Sequence, residues 1–79
     1  MSRGVPLTKI KPYEKARIIS LPTNERNLRK LTSFGILPGV EIEVLQISPT
    51  YVLRIQYTQL ALDLQIAQNI IVEKVNPTS

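Results

Sequence analysis

Residues 34–45 read FGILPGVEIEVL, and this stretch limits the possible folds more than any other. A glycine, a proline-glycine pair and an alternating run follow one another with no room for a long loop. Gly35 comes just past a helical pattern, where a left-handed residue ends a helix and glycine adopts that state without steric penalty. Ile36 then stands where a Schellman cap puts an apolar contact back onto Leu31. Pro38 and Gly39 fit the two central positions of a type II turn, the first with φ preset and the second supplying a positive φ. Beyond them Val40, Ile42 and Val44 alternate with Glu41 and Glu43, the period-two pattern of a strand with one buried and one wet face. Leu45 and Ile47 suggest that the far end of this strand is covered.

The segment before the glycine, TNERNLRKLTSFG, reads as the one clear helix. Thr23 or Asn24 can cap its first amides, Glu25 lies in the positive first turn and Lys30 near the negative end. At about 100° per residue, Leu28, Leu31 and Phe34 form the face expected to pack, and Arg26, Arg29 and Lys30 form the opposite, basic face. KARIISL reads as a strand after a turn at Pro12, with both faces carrying apolar residues. YVLRIQY sets Tyr51, Leu53, Ile55 and Tyr57 against Arg54 and Gln56, and TQLALD adds a short strand. Asp63 can cap a single turn through LQIAQN, Asn69 can end it in the left-handed conformation, and IIVEKV closes the sheet.

Strand, helix, three strands, a helical turn and a last strand give a mainly β fold: a small SH3-like, partly open β-barrel with one α-helix between its first and second strands. An OB-fold competes, but usually carries its main helix later in the chain. At 79 residues the chain is expected to form a single domain, with residues 1–8 as a loose arm, from which Val5 and Leu7, with Ile10 beyond, could tuck onto the barrel, and 76–79 as a tail.

Composition narrows the chemistry. The chain has no histidine and no cysteine, which removes the side chains that hold zinc, copper and most iron firmly, and removes the usual base for a serine or threonine nucleophile. No catalytic residue, cofactor or metal site is expected; the carboxylates are scattered, and Glu41 with Glu43 reads as a solvated face. No phosphate-cradling glycine loop is present, so an enzyme is not expected. The lack of cysteine and of a basic, apolar leader points to the cytoplasm, and no apolar run approaches the ~20 residues that span a bilayer.

KARIISL, LRKLTSFGILPGVEIEVLQ and LALDLQIAQNIIV, in this order between Leu7 and Val75, resemble the FeoA family, ferrous iron transport protein A, whose fold also forms the C-terminal SH3-like domain of DtxR-type iron-dependent repressors. The resemblance implies a soluble accessory of bacterial ferrous iron uptake that docks on the cytosolic GTPase domain of the membrane transporter FeoB. It also carries a family label of transition-metal binding, which here only carboxylates and carbonyls could honour, and weakly. Three positions depart from the family pattern. Tyr13 stands where a glycine usually follows a lysine-proline pair, Tyr57 replaces a hairpin glycine, and Asp63 replaces a frequently basic residue. A tyrosine suits the negative φ of a type I turn, so the turn at Pro12 and Tyr13 is expected to change type, and the hairpin at Tyr57 to be longer or bulged.

Arg26, Arg29 and Lys30, with Leu37 and Pro38 of the following turn, are the candidate partner-binding residues; Gly35, Pro38, Gly39 and Asn69 are the turn and cap residues. Three charges also serve simply to solvate a helix, and a Pro-Gly turn needs no partner. Charge is uneven along the chain: through Leu31 there are eight basic and two acidic residues, and after it two basic and four acidic. A basic half with Tyr13, Tyr51 and Tyr57 for stacking supports the alternative, a nucleic-acid-binding barrel.

Overall fold

The structure, a computed structural model, describes residues 4–75; the expected tail at 76–79 lies outside the described residues. Its strands are β1 (Val5–Pro6), β2 (Lys15–Ser20), β3 (Glu41–Gln46), β4 (Tyr51–Ile55), β5 (Thr58–Leu62) and β6 (Ile71–Lys74). A 3-10 turn (Leu7–Lys9) follows β1, helix α1 (Glu25–Ser33) joins β2 to β3, and the short helix α2 (Leu64–Gln68) precedes β6. All six strands form one open antiparallel sheet in the order β1-β6-β2-β3-β4-β5, consistent with a small SH3-like barrel.

Part of the expected loose arm is built into the sheet. Val5 and Pro6 pair with Val72 and Ile71, and Leu7 is fully buried with its N–H donating to the Ile70 carbonyl at 2.8 Å. The alternation along β3 and β4 matches the burial: Ile42, Val44, Tyr51, Leu53 and Ile55 face the core. In β2, Ala16 and Ile18 are buried, and a bulge between Ile18 and Ser20 against β6 ends the regular pattern, leaving Ser20 exposed. Ile47 is also exposed, because it lies past the end of β3 in the loop to β4, contrary to the expected cover.

The caps are specific. Asn24 begins α1, its Oδ1 accepting from the N–H groups of Arg26 (3.0 Å) and Asn27 (3.2 Å). At the other end Phe34 is the C-cap and Gly35 follows at φ 85°; Ile36 N–H donates to the Leu31 carbonyl at 3.0 Å and Gly35 N–H to that of Thr32 at 3.0 Å, a complete Schellman motif. Around α2 the expectations need correcting. Asp63 occupies the N-cap without a side-chain hydrogen bond, and Asn69 ends the helix at φ −100°, not in the left-handed region. Its Nδ2 instead donates to the Gln65 carbonyl at 2.8 Å, so the amide side chain satisfies a terminal carbonyl that a left-handed backbone would otherwise reach.

Both tyrosine turns also differ from expectation. Tyr13 keeps the left-handed state, φ 70°, following Pro12 as a type II turn requires. Four hydrogen bonds hold it there: Glu14 N–H to the Lys11 carbonyl (3.1 Å), Lys11 N–H to Glu14 Oε1 (2.9 Å), Tyr13 N–H to the Val44 carbonyl (2.6 Å) and Val44 N–H to the Glu14 carbonyl (3.0 Å). The backbone is fixed from both sides, so the turn keeps a φ that is unfavourable for a side-chain-bearing residue. The β4–β5 hairpin is neither longer nor bulged, since Ile55 pairs with Thr58 across a two-residue turn. There the positive φ falls on Gln56, at 55°, and Tyr57 projects fully into solvent instead of continuing the buried face of β4.

A left-handed non-glycine residue costs about 1–2 kcal/mol, while glycine adds roughly 0.5–1 kcal/mol of unfolded-chain entropy. Tyr13 is 76% exposed and has little packing to lose. Tyr13→Gly is therefore expected to raise stability by about 0.5–1 kcal/mol in urea denaturation; a loss of stability would contradict the left-handed turn.

The carboxyl of Glu14 is held below its ordinary pKa, first by the hydrogen bond from the Lys11 N–H, against partial desolvation, with Lys74 (3.4 Å) and the Lys11 charge adding to it. A depressed folded-state pKa gives stability that is present above the unfolded value of about 4.3 and is lost as pH falls through the folded value. Thermal melts should thus decline below about pH 4.3, and Glu14→Gln should flatten that decline; an unchanged slope would show that the contact does not persist in solution.

Candidate functional site

The outward face of the sheet cancels most of its own charge. Register places Lys15 opposite Glu43 and Arg17 opposite Glu41, Arg17 reaches Glu73 at 3.7 Å, and Arg54 pairs with Glu43. Antiparallel pairing thereby sets the basic first half of the chain against the acidic second half, so the asymmetry visible along the sequence largely disappears in space. Glu41 and Glu43 thus stand opposite Arg17 and Lys15 of β2, and Glu43 also meets Arg54 of β4. Each exposed pair contributes little to stability, but together they leave no strong field on this face.

The helix retains its charge. Arg26, Arg29, Lys30 and Ser33, with Glu25 at their edge, line an open, outward-facing surface of α1. All five lie on one helix, so this is a convex surface rather than an enclosed pocket. Arg29 bonds Glu25 Oε1 at 3.0 Å, an exposed i,i+4 pair, which leaves Arg26 and Lys30 as the cations of this face without a carboxylate partner among the described residues.

The apolar side of the helix departs from expectation. Of the three residues expected to pack, only Leu31 is buried; Leu28 and Phe34 are 37% and 43% exposed. The reason is placement. α1 sits at the end of the sheet where β3 begins and has no extended packing against any single strand, so one residue and the Schellman turn anchor it. Periodicity identified the stripe but not whether anything covers it. The signal available in the sequence was its brevity: three apolar positions, the last of them at the helix terminus.

The following turn joins this surface and is firmly held. Val40 N–H closes it on the Leu37 carbonyl (3.0 Å), Gly39 has φ 93°, Gly39 N–H donates to the Ile18 carbonyl (2.7 Å) and Ile18 N–H to that of Val40 (2.9 Å). Leu37 is 44% exposed and Pro38 is exposed beside it. The structure thus brings two patches to one end of the molecule: cations on the outer side of α1, and Leu28, Phe34 and Leu37 along its base and the turn.

The aromatic track needed for nucleic acid is not assembled. Tyr51 is buried, and Tyr13 and Tyr57 lie at opposite ends of the sheet, beside the end of β3 and in the β4–β5 hairpin respectively. Among the described residues no group of three or more Asp or Glu side chains lies together as a metal site, and no helix is long and apolar enough to cross a membrane.

Comparison with curated protein sequences finds no significant match. Among solved structures, the chain is similar to a crystallised iron uptake regulatory protein, FeoA (25% identity, TM-score 0.83, covering 92% of this chain and 99% of that one). It is equally similar to a FeoA-like protein from Clostridium acetobutylicum (26% identity, TM-score 0.84, 100% and 95% covered). IdeR from T. acidophilum shares the fold at 22% identity and TM-score 0.88, with 95% of this chain spanning 36% of that longer one. A family model described as the FeoA domain matches residues 5–74, nearly the entire chain from β1 through β6, and on that match this chain belongs to the FeoA domain family.

Proposed function

We infer that this chain is a non-catalytic, cytoplasmic accessory protein of bacterial ferrous iron uptake, which acts by docking on the cytosolic GTPase domain of a FeoB-type membrane transporter. The observation that carries the reading is the FeoA domain match over residues 5–74. One similar structure bears the name iron uptake regulatory protein, which supports the same process.

The chemistry of the chain favours contact over carriage. It has neither histidine nor cysteine, and four of its six carboxylates are already engaged with cations, so it offers ferrous iron only weak oxygen ligands and needs no resident cofactor. The docking surface in this reading is the outer face of α1, with Arg26, Arg29 and Lys30 steering an acidic partner and Leu37 and Pro38 seating at its margin. A strain lacking the chain should show altered uptake of radioactive ferrous iron. Wild type should restore it, and Arg26→Glu/Arg29→Glu/Lys30→Glu should not, although equally folded. Full restoration by that variant would remove the surface assignment, and unaltered uptake in the deletion strain would remove the function.

A further inference from the structure

The two edges of the open sheet are unlike. β1 is two residues long and ends in Pro6, which has no N–H to offer, so that edge is blunted against further pairing. β5, Thr58–Leu62, has five residues in unbroken register with β4, no bulge, no proline and no charge. Among the described residues its only strand neighbour is β4. A regular, neutral edge of this kind is what soluble proteins normally avoid unless something pairs with it.

The hairpin fixes which groups are free. Ile55 and Thr58 flank a two-residue turn and form a hydrogen-bonded pair, so Leu53 with Leu60 and Tyr51 with Leu62 do likewise. Gln59 and Ala61 therefore direct their N–H and C=O groups away from β4, along the open edge. Their side chains are exposed as well.

We propose that the free edge of β5 pairs antiparallel with β5 of a second copy of this chain, about a twofold axis at Leu60. In that register each Gln59 meets Ala61 of the other copy, and each pair exchanges both of its main-chain hydrogen bonds. Self-pairing sets like residues near one another, which penalises a charged strand but not this one, although the chain as a whole carries +4. The Asp63 carboxylates fall at opposite ends, about 20 Å apart and beyond the screening length at physiological salt. Two of the most exposed apolar residues, Tyr57 (101%) and Leu64 (54%), flank the strand. The twofold axis brings Tyr57 of one copy to the end where the other copy's Asp63 and Leu64 stand, so each end of the junction adds one exposed apolar residue from either copy.

Because the contact is small, association is expected only towards about 1 mM. Sedimentation should show dimer growing with concentration. Exchange of the Gln59 and Ala61 amides should slow about twofold between roughly 0.05 and 2 mM, with the Leu37 amide unchanged. Ala61→Pro, which removes an outward N–H, should abolish both effects, and so should Gln59→Lys/Ala61→Lys, which leaves the backbone intact and places lysines opposite each other. A wild type that remains monomeric at about 2 mM, or a dimer that survives the lysine pair, overturns the proposal. Protection of these amides only on addition of a different protein would assign the edge to that protein and overturn self-pairing as well.

Discussion

Leu31→Ala is expected to cost about 3 kcal/mol, because burial of this side chain is complete and truncating a core leucine removes both its transfer free energy and the packing around it. For a domain of this size that is a large share of a total of roughly 4–12 kcal/mol, and corresponds to a fall in melting temperature of about 12–24 °C. The loss should be unevenly distributed. α1 has Leu31 as its sole fully buried residue and lacks extended packing on any one strand, so its amides should lose protection first, while those of β3 and β4 keep theirs until global unfolding. Leu28→Ala, at a position 37% exposed, should cost under about 1 kcal/mol. Equal losses from the two substitutions in urea denaturation would mean that the helix packs through its whole apolar stripe, contrary to the structure.

Gly35→Ala should cost about 1–2 kcal/mol, entirely through the backbone. Gly35 sits at φ 85°, and a β-carbon built there meets no atom within 4 Å, so crowding plays no part. The penalty comes from an L-residue held left-handed by two hydrogen bonds, Ile36 N–H to the Leu31 carbonyl and Gly35 N–H to that of Thr32. Chirality separates this cause from any other. D-alanine at the same position, introduced by chemical synthesis, favours positive φ and also narrows the unfolded ensemble, so it should leave stability unchanged or raise it by up to about 1 kcal/mol. If both enantiomers destabilised equally, the cause would be lost space rather than torsion, and the cap geometry would be wrong.

Where one residue type has one physical use, the sequence was legible. Glycine after a helical run, proline-glycine before an alternating run, and valine and isoleucine at period two led directly to the Schellman cap, the turn at residues 37–40 and β3. The misses share a different origin: tertiary contacts chose between locally similar states. Tyr13 alone prefers negative φ, but its N–H is fixed to Val44 and its turn is closed by Glu14, and these bonds outweigh a torsional cost of about 1–2 kcal/mol. Asn69 has two ways of closing a helix end, and here its side chain does the work. Val5 and Pro6 look like arm residues until β6 is placed beside them. The candidate surface was half visible: the basic face follows from helical angles alone, but the pairing that sets Arg17, Lys15 and Arg54 against carboxylates on the sheet depends on strand register.

The proposed docking makes the chain's action on ferrous iron uptake depend on contact between α1 and the transporter. Calorimetric titration of the folded chain into the purified cytosolic GTPase domain, at about 0.1 M salt and with each nucleotide state in turn, tests it most directly. Saturable binding is predicted in at least one state, weakened about tenfold or more by Arg26→Glu/Arg29→Glu/Lys30→Glu and by a rise to about 0.5 M salt. Equal affinity for wild type and the charge-reversed variant would contradict the surface, and no heat in any nucleotide state, by a chain whose fold is verified in the same sample, would contradict the claim itself.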